Sequence, residues 1–141
     1  MKKMNNKGFS LIELIIVIAI MAVLVAIIAP NLTKYLGKSK SQTDKTNLDE
    51  MKKQFKNAIS DAATDEITDV AGTYTVTGSS VSLDTSKPAG TGASNFVNVV
   101  KNALDSDTNT KSKVDSTKDK IEVVVSGSDS AGYTLTAKFT S

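Results

Sequence analysis

Between Phe9 and Ala29 the chain reads FSLIELIIVIAIMAVLVAIIA, and only Ser10 and Glu13 among these 21 residues are polar. Wound as a helix at about 1.5 Å per residue, the run is about 30 Å long, enough to cross the hydrocarbon core of a bilayer. A central acid in such a segment costs roughly 2.5–3.5 kcal/mol, whereas each Leu, Ile, Val or Phe returns about 0.3–0.6 kcal/mol. The run holds 14 of those apolar residues and Glu13 sits off-centre, so insertion is favoured despite the acid. Pro30 follows, and a proline within a helix removes one hydrogen bond and crowds the preceding turn, here the carbonyl of Ala26. Helical periodicity nevertheless resumes. Leu48, Met51, Phe55, Ala58, Ile59 and Ala62 recur at helical spacing, and Lys52, Lys53, Lys56 and Asp61 form the wet side. The pattern predicts one helix from Phe9 to about Ala63, roughly 80 Å long, kinked or softened near Pro30 and Gly37. Its first half is apolar all round. Its second half is amphipathic and expected to pack against a small head.

Beyond residue 65 the period changes from helical to alternating. Thr73–Thr77 places Tyr74 and Val76 on one face, and Val81 with Leu83 continues as a short strand. Ile121, Val123 and Val125 alternate, as do Tyr133, Leu135, Ala137 and Phe139 after a turn at Ser126–Gly132. These last two runs read as an antiparallel hairpin whose apolar faces cover the helix stripe around Phe55. Ser94–Leu104 reads as a short helix with Phe96, Val99, Val100, Ala103 and Leu104 inward. The expected fold class is α+β, a long helical spine packed by its C-terminal half against a small antiparallel sheet. Four segments follow: a basic leader at 1–8, an apolar helix at 9–29, its amphipathic continuation at 30–65, and a β-rich head at 66–141. Residues 105–120, DSDTNTKSKVDSTKDK, are expected to form a mobile surface loop.

Composition narrows the chemistry. The 141 residues contain no His, Cys or Trp, which removes thiol nucleophiles, imidazole bases, Cys or His metal sites and any disulfide framework. Neither a Gly-rich phosphate loop ending in Lys nor a G-x-S-x-G elbow occurs, so the chain does not read as an enzyme. The net charge of +2 is set by Lys2, Lys3 and Lys7; the rest carries 14 Lys against 15 acids, which gives no electrostatic case for nucleic-acid binding. Asp105, Asp107 and Asn109 fit the first three ligand positions of a calcium loop, but Thr110 stands where its glycine belongs and Ser116 where its glutamate belongs. They are weak calcium candidates, and no metal or other cofactor is expected. Asn31-Leu32-Thr33 fits the N-glycosylation pattern beside the apolar segment. The lysines from Lys34 to Lys45 suit either solvent, lipid phosphates or acidic patches on neighbouring molecules.

Three readings compete for the N-terminus. A secretory signal explains the lysines, but its core is typically 7–15 residues and its cleavage site wants A-x-A spacing, which Ile28 breaks in Ala26-Ile27-Ile28-Ala29-Pro30. An ordinary anchor explains the length and leaves Glu13 unexplained. The third rests on KGFSLIEL and the helix behind it: a basic leader, Gly8, Phe9, Glu13 and unbroken hydrophobicity. This pattern, over residues 1 to about 60, resembles the type IV pilin (class III) signal shared by pilins and pseudopilins.

The resemblance implies cleavage between Gly8 and Phe9 by a prepilin peptidase, and N-methylation of Phe9. It implies that Glu13 pairs with the Phe9 amine of a neighbouring subunit and guides assembly, an offset for a charge that would cost several kcal/mol if left alone among apolar helices. It also implies a lollipop-shaped α+β subunit, unwinding near the proline, an assembly ATPase and a platform protein as partners, and passage from the cytoplasmic membrane into an extracellular homopolymer. Many members close the C-terminal loop with a disulfide, which this cysteine-free chain lacks. Its head must be held by packing and hydrogen bonds, or by a metal such as the calcium of major pseudopilins. The expected function is that of a type IV pilus subunit serving motility, adhesion or biofilm formation. The alternatives are a major pseudopilin of a secretion or competence system and a membrane-anchored binding module that never polymerises.

Overall fold

A computed structural model describes residues 9–104 and 110–141. The element order is α1 (Leu11–Thr64), β1 (Gly72–Thr77), β2 (Ser80–Leu83), α2 (Ala93–Ala103), β3 (Lys120–Ser128) and β4 (Gly132–Thr140). The fold class is α+β, a long N-terminal helix with a small antiparallel sheet. The chain divides into two compact units, Met1–Ser39 and Lys40–Ser141.

Among the described residues of the first unit, the apolar side chains of α1 have nothing to pack against. Every large hydrophobic side chain from Phe9 to Leu36 is exposed. Exposure of apolar surface on this scale marks an interaction surface for lipid or protein. Pro30 lies inside α1, and the Thr33 hydroxyl donates to the Pro30 carbonyl at 3.0 Å.

The second unit has its own core. Its sheet runs β2-β1-β3-β4 with every neighbouring pair antiparallel. The register sets Tyr74 opposite Val123 and Val76 opposite Ile121, and carries on to Phe139 and Ala137 of β4. Because side chains alternate, a slip of one residue would turn all of these outward. On this face lie Met51, Phe55, Ala58 and Ala62 of α1 with Phe96 and Val100 of α2, all fully or nearly fully buried. Phe55, Tyr74 and Phe96 form a closed triangle of rings with centroids 5.6, 6.1 and 5.4 Å apart, tilted or edge-to-face. Such pairs contribute about 0.5–1.5 kcal/mol each beyond their buried area. The Tyr74 hydroxyl donates to the Val70 carbonyl at 2.6 Å, so its one polar atom is satisfied inside the core. Burial raises the pKa of that phenol.

Two boundaries differ from the sequence expectation. The turn expected at Ser126–Gly132 contracts to residues 129–131, because β3 and β4 stay paired as far as Ser128 and Gly132. Gly127 permits this at φ +121°, where a Cβ would strike the Gly132 carbonyl. The short helix opens at Ala93 rather than Ser94. Its N-cap is Gly92, a position where a Cβ would collide with the Thr68 carbonyl, so close backbone packing overrides a hydroxyl cap.

Within the described part of the expected loop, residues 110–120, the stretch 110–114 is hydrogen-bonded to the rest of the second unit. Thr110 and Ser112 are buried, and the Thr110 hydroxyl accepts a hydrogen bond from the Gly78 amide at 3.2 Å. The cause is Asp44 on α1. Its carboxylate accepts from the Ser112 hydroxyl at 2.6 Å, the Lys113 amide at 2.6 Å and the Val114 amide at 3.2 Å.

Candidate functional site

The sequence points to the start of α1. Phe9 is 92 % exposed and precedes the helix. Ser10 stands immediately before the first helical residue, and the Glu13 carboxylate reaches back to accept its backbone N–H at 2.8 Å. This is one half of a capping box, in which an acid at the third helical position satisfies a backbone donor that the helix leaves open. The position also suits a negative charge, since helix N-termini carry partial positive charge. Sequence reading singled out Glu13 for its cost in an apolar segment and overlooked this local role, although Ser-x-x-Glu before an apolar run announces it. The carboxylate is exposed at the helix end, with one oxygen engaged by Ser10.

Gly8 and the calcium candidates Asp105, Asp107 and Asn109 lie outside the described residues. Among the described residues no group of three acids is placed to hold a metal ion. Gly37 falls in α1, where an added Cβ would meet open space. Pro30 and Gly37 are thus both within the helical run, and the Thr33 hydroxyl occupies the Pro30 carbonyl.

Two polar constellations escaped the sequence reading. The first is the Asp44 clamp. Burial alone would raise the pKa of this acid, but hydrogen bonds from Ser112, Lys113 and Val114, with the Lys113 charge, hold it below the usual carboxylate value. The second lies on the face of the sheet turned away from the core. There Glu122 of β3 bridges Lys138 at 2.8 Å and Lys87 at 2.9 Å, and hydrogen bonds from these two lysines lower its pKa. Both join residues more than ten positions apart, so no local motif announces them.

None of these arrangements assembles a nucleophile with a base. What the described residues offer at the N-terminus is a long unpartnered apolar surface with a carboxylate in its first turn. Residues 3–29 match the prokaryotic N-terminal methylation motif. The chain has a prepilin-type N-terminus.

Two curated relatives agree with the motif. The type IV major pilin protein PilA of Myxococcus xanthus (strain DK1622) is 52 % identical over 44 residues, which are 31 % of this chain and 20 % of that protein. The prepilin peptidase-dependent protein A of Clostridium perfringens (strain 13 / Type A) is 37 % identical over 92 residues, or 60 % of this chain and 64 % of that protein. The matched stretches therefore span one fifth and somewhat under two thirds of these relatives. No solved structure matches. The prepilin motif, together with an apolar helix long enough to cross a membrane, supports a pilin-type, membrane-anchored precursor.

Proposed function

We propose that this chain is the structural subunit of a type IV pilus, cut between Gly8 and Phe9, N-methylated on Phe9 and polymerised into an extracellular filament. One observation carries the reading. Through the methylation motif and beyond it, α1 exposes its large apolar side chains on all sides from Leu11 to Leu36. Such a surface is stable in lipid, and equally stable among copies of itself, so the subunit can exchange one for the other without refolding. Transfer is then nearly neutral in hydrophobic terms, and a charge pair can direct it.

Glu13 supplies that direction. Its carboxylate is engaged by Ser10 through one oxygen in the chain itself, and the other is free to accept the Phe9 amine of a neighbouring subunit. Pro30 and Gly37 would soften α1 as it enters the filament. An assembly ATPase and a platform protein would drive extraction from the cytoplasmic membrane, and the fibre would serve motility, adhesion or biofilm formation.

Mass spectrometry of the N-terminal peptide in material sheared from intact cells tests this. The expected species begins at N-methylated Phe9. A chain still beginning at Met1 would overturn the processing step and favour an anchored module. Processed chain confined to the envelope would instead assign it to a pseudopilus.

A further inference from the structure

The second unit carries opposite charges on opposite flanks of α1. With about 100° of rotation per residue, Lys45, Lys52 and Lys56 fall within a stripe about 40° wide on one side of the buried face. Lys52 is engaged by Asp49 at 2.6 Å. Among the described residues Lys45 and Lys56 form no ion pair, and both are exposed. Glu50 and Asp61 lie on the other flank, roughly 140–160° round the helix from that stripe.

The acidic flank is more than a charged edge. Asp61 and Asp65 line an open cleft of about 250 Å³ together with Val99, Asn102 and Ala103 of α2. The last turn of α1 contains no basic residue, so the partial negative charge of the helix end is left to add to that of the two carboxylates. Lys101, the basic residue in the last turn of α2, forms no ion pair with either acid. The cleft thus sets two carboxylates that form no ion pair beside the apolar side chains of Val99 and Ala103, a lining that suits an ammonium group on an aliphatic stem.

We propose that this cleft receives Lys45 and Lys56 from a second copy of the chain, so that the cationic flank of one α1 docks on the acidic cleft of the next. The sign pattern decides the kind of contact. A two-fold interface would pair the two patches reciprocally and so needs both on one face, whereas complementary patches on opposite flanks of α1 give a head-to-tail contact that continues from copy to copy. Exposed ion pairs are individually weak, so the contact sets rotational register and excludes wrong neighbours more than it supplies affinity. The inference rests on the polymer reading above and adds to it the faces by which the second units meet.

Because the chain has no cysteine, cross-linking is a clean test. Asp65→Cys is combined with Lys45→Cys or with Lys56→Cys in the full chain, and sheared material is run without reductant. Within one chain these positions are at least about 13 Å apart along α1, too far for a disulfide, so any bridge joins two copies. The expected result is a ladder of dimers, trimers and higher species with at least one pair and none beyond dimers for single cysteines. Fibres of both doubly substituted chains that stay monomeric both without reductant and after treatment with a bismaleimide spanning about 8 Å, nearer the reach of a Lys–Asp pair than a disulfide is, would overturn the docking and leave the polymer standing. Absence of wild-type chain from sheared material would overturn both. As a second readout, Asp61→Lys with Asp65→Lys should lower sheared fibre about tenfold, and adding Lys45→Asp with Lys56→Asp should restore it. Failure to restore would contradict the charge pairing.

Discussion

One helix, α1, is two different objects along its length. Up to Ser39 its large apolar side chains are all exposed, and from Lys40 onward it has one buried face, headed by Met51, Phe55, Ala58 and Ala62. The second stretch finds its partners within the chain, in Tyr74, Phe96 and the inward residues of β3. The first stretch must find them outside. A substitution on the buried face of the second stretch should therefore act on stability, and one in the first stretch on assembly with stability unchanged.

The largest effect is expected in the core. Phe55→Ala removes the hub of the aromatic triangle and should cost about 3–5 kcal/mol. Denaturant unfolding of the full chain in detergent, followed by near-ultraviolet dichroism of the tyrosines, would measure it. If the midpoint did not move, the triangle would not be what holds the second unit together.

Glu13→Gln should do the reverse. The amide oxygen can still accept from Ser10, so the cap is largely kept and the unfolding midpoint should stay put. Sheared fibre should nevertheless fall by about tenfold or more, the cost of leaving a charge unpaired among apolar helices. Equal fibre yield from the variant would mean that Glu13 serves only as a helix cap.

Asp44→Ala should be intermediate, costing about 1–3 kcal/mol because three donors in the 112–114 segment lose their acceptor. Its pH dependence has a definite sign. The folded-state pKa of Asp44 is lowered, so the clamp contributes fully above the ordinary carboxylate value near 3.8 and loses its contribution as pH falls through the lower folded value. Acid unfolding in the variant should therefore be shallower below about pH 4. Hydrogen exchange at the Lys113 and Val114 amides should rise in the same variant.

The smallest effect is expected at Glu122→Gln. Its lysine partners are substantially exposed, with side chains 43 % and 69 % accessible, and exposed pairs of this kind contribute little. The melting midpoint should fall by about 2 °C or less, and the difference should vanish near 1 M salt. A larger shift would mean that the outer face of the sheet bears on the core.

Much of this protein could be read along the chain because the controlling physics is local. The apolar run, the leader lysines and the Gly8-Phe9 step with Glu13 are contiguous, and the strands of the hairpin betray themselves by alternation. The contrast in polarity between residues 9–29 and the stretches on either side needs no partner to be visible. Asp44 could not be read in this way. In sequence it is one acid among the polar residues of an amphipathic helix, and Ser112 is one serine in a hydrophilic stretch.

What the sequence determined by itself was local: the methylation motif over residues 3–29, which segment is long and apolar enough to prefer lipid, and which residues alternate. Only the tertiary structure decided which strand lies beside which, that residues 112–114 are clamped to α1, and that Asp61 and Asp65 share a cleft with α2. The division has a physical cause. Hydrophobic periodicity depends on spacing along the chain, whereas a hydrogen bond between residues 68 positions apart depends on where the whole core places their backbones.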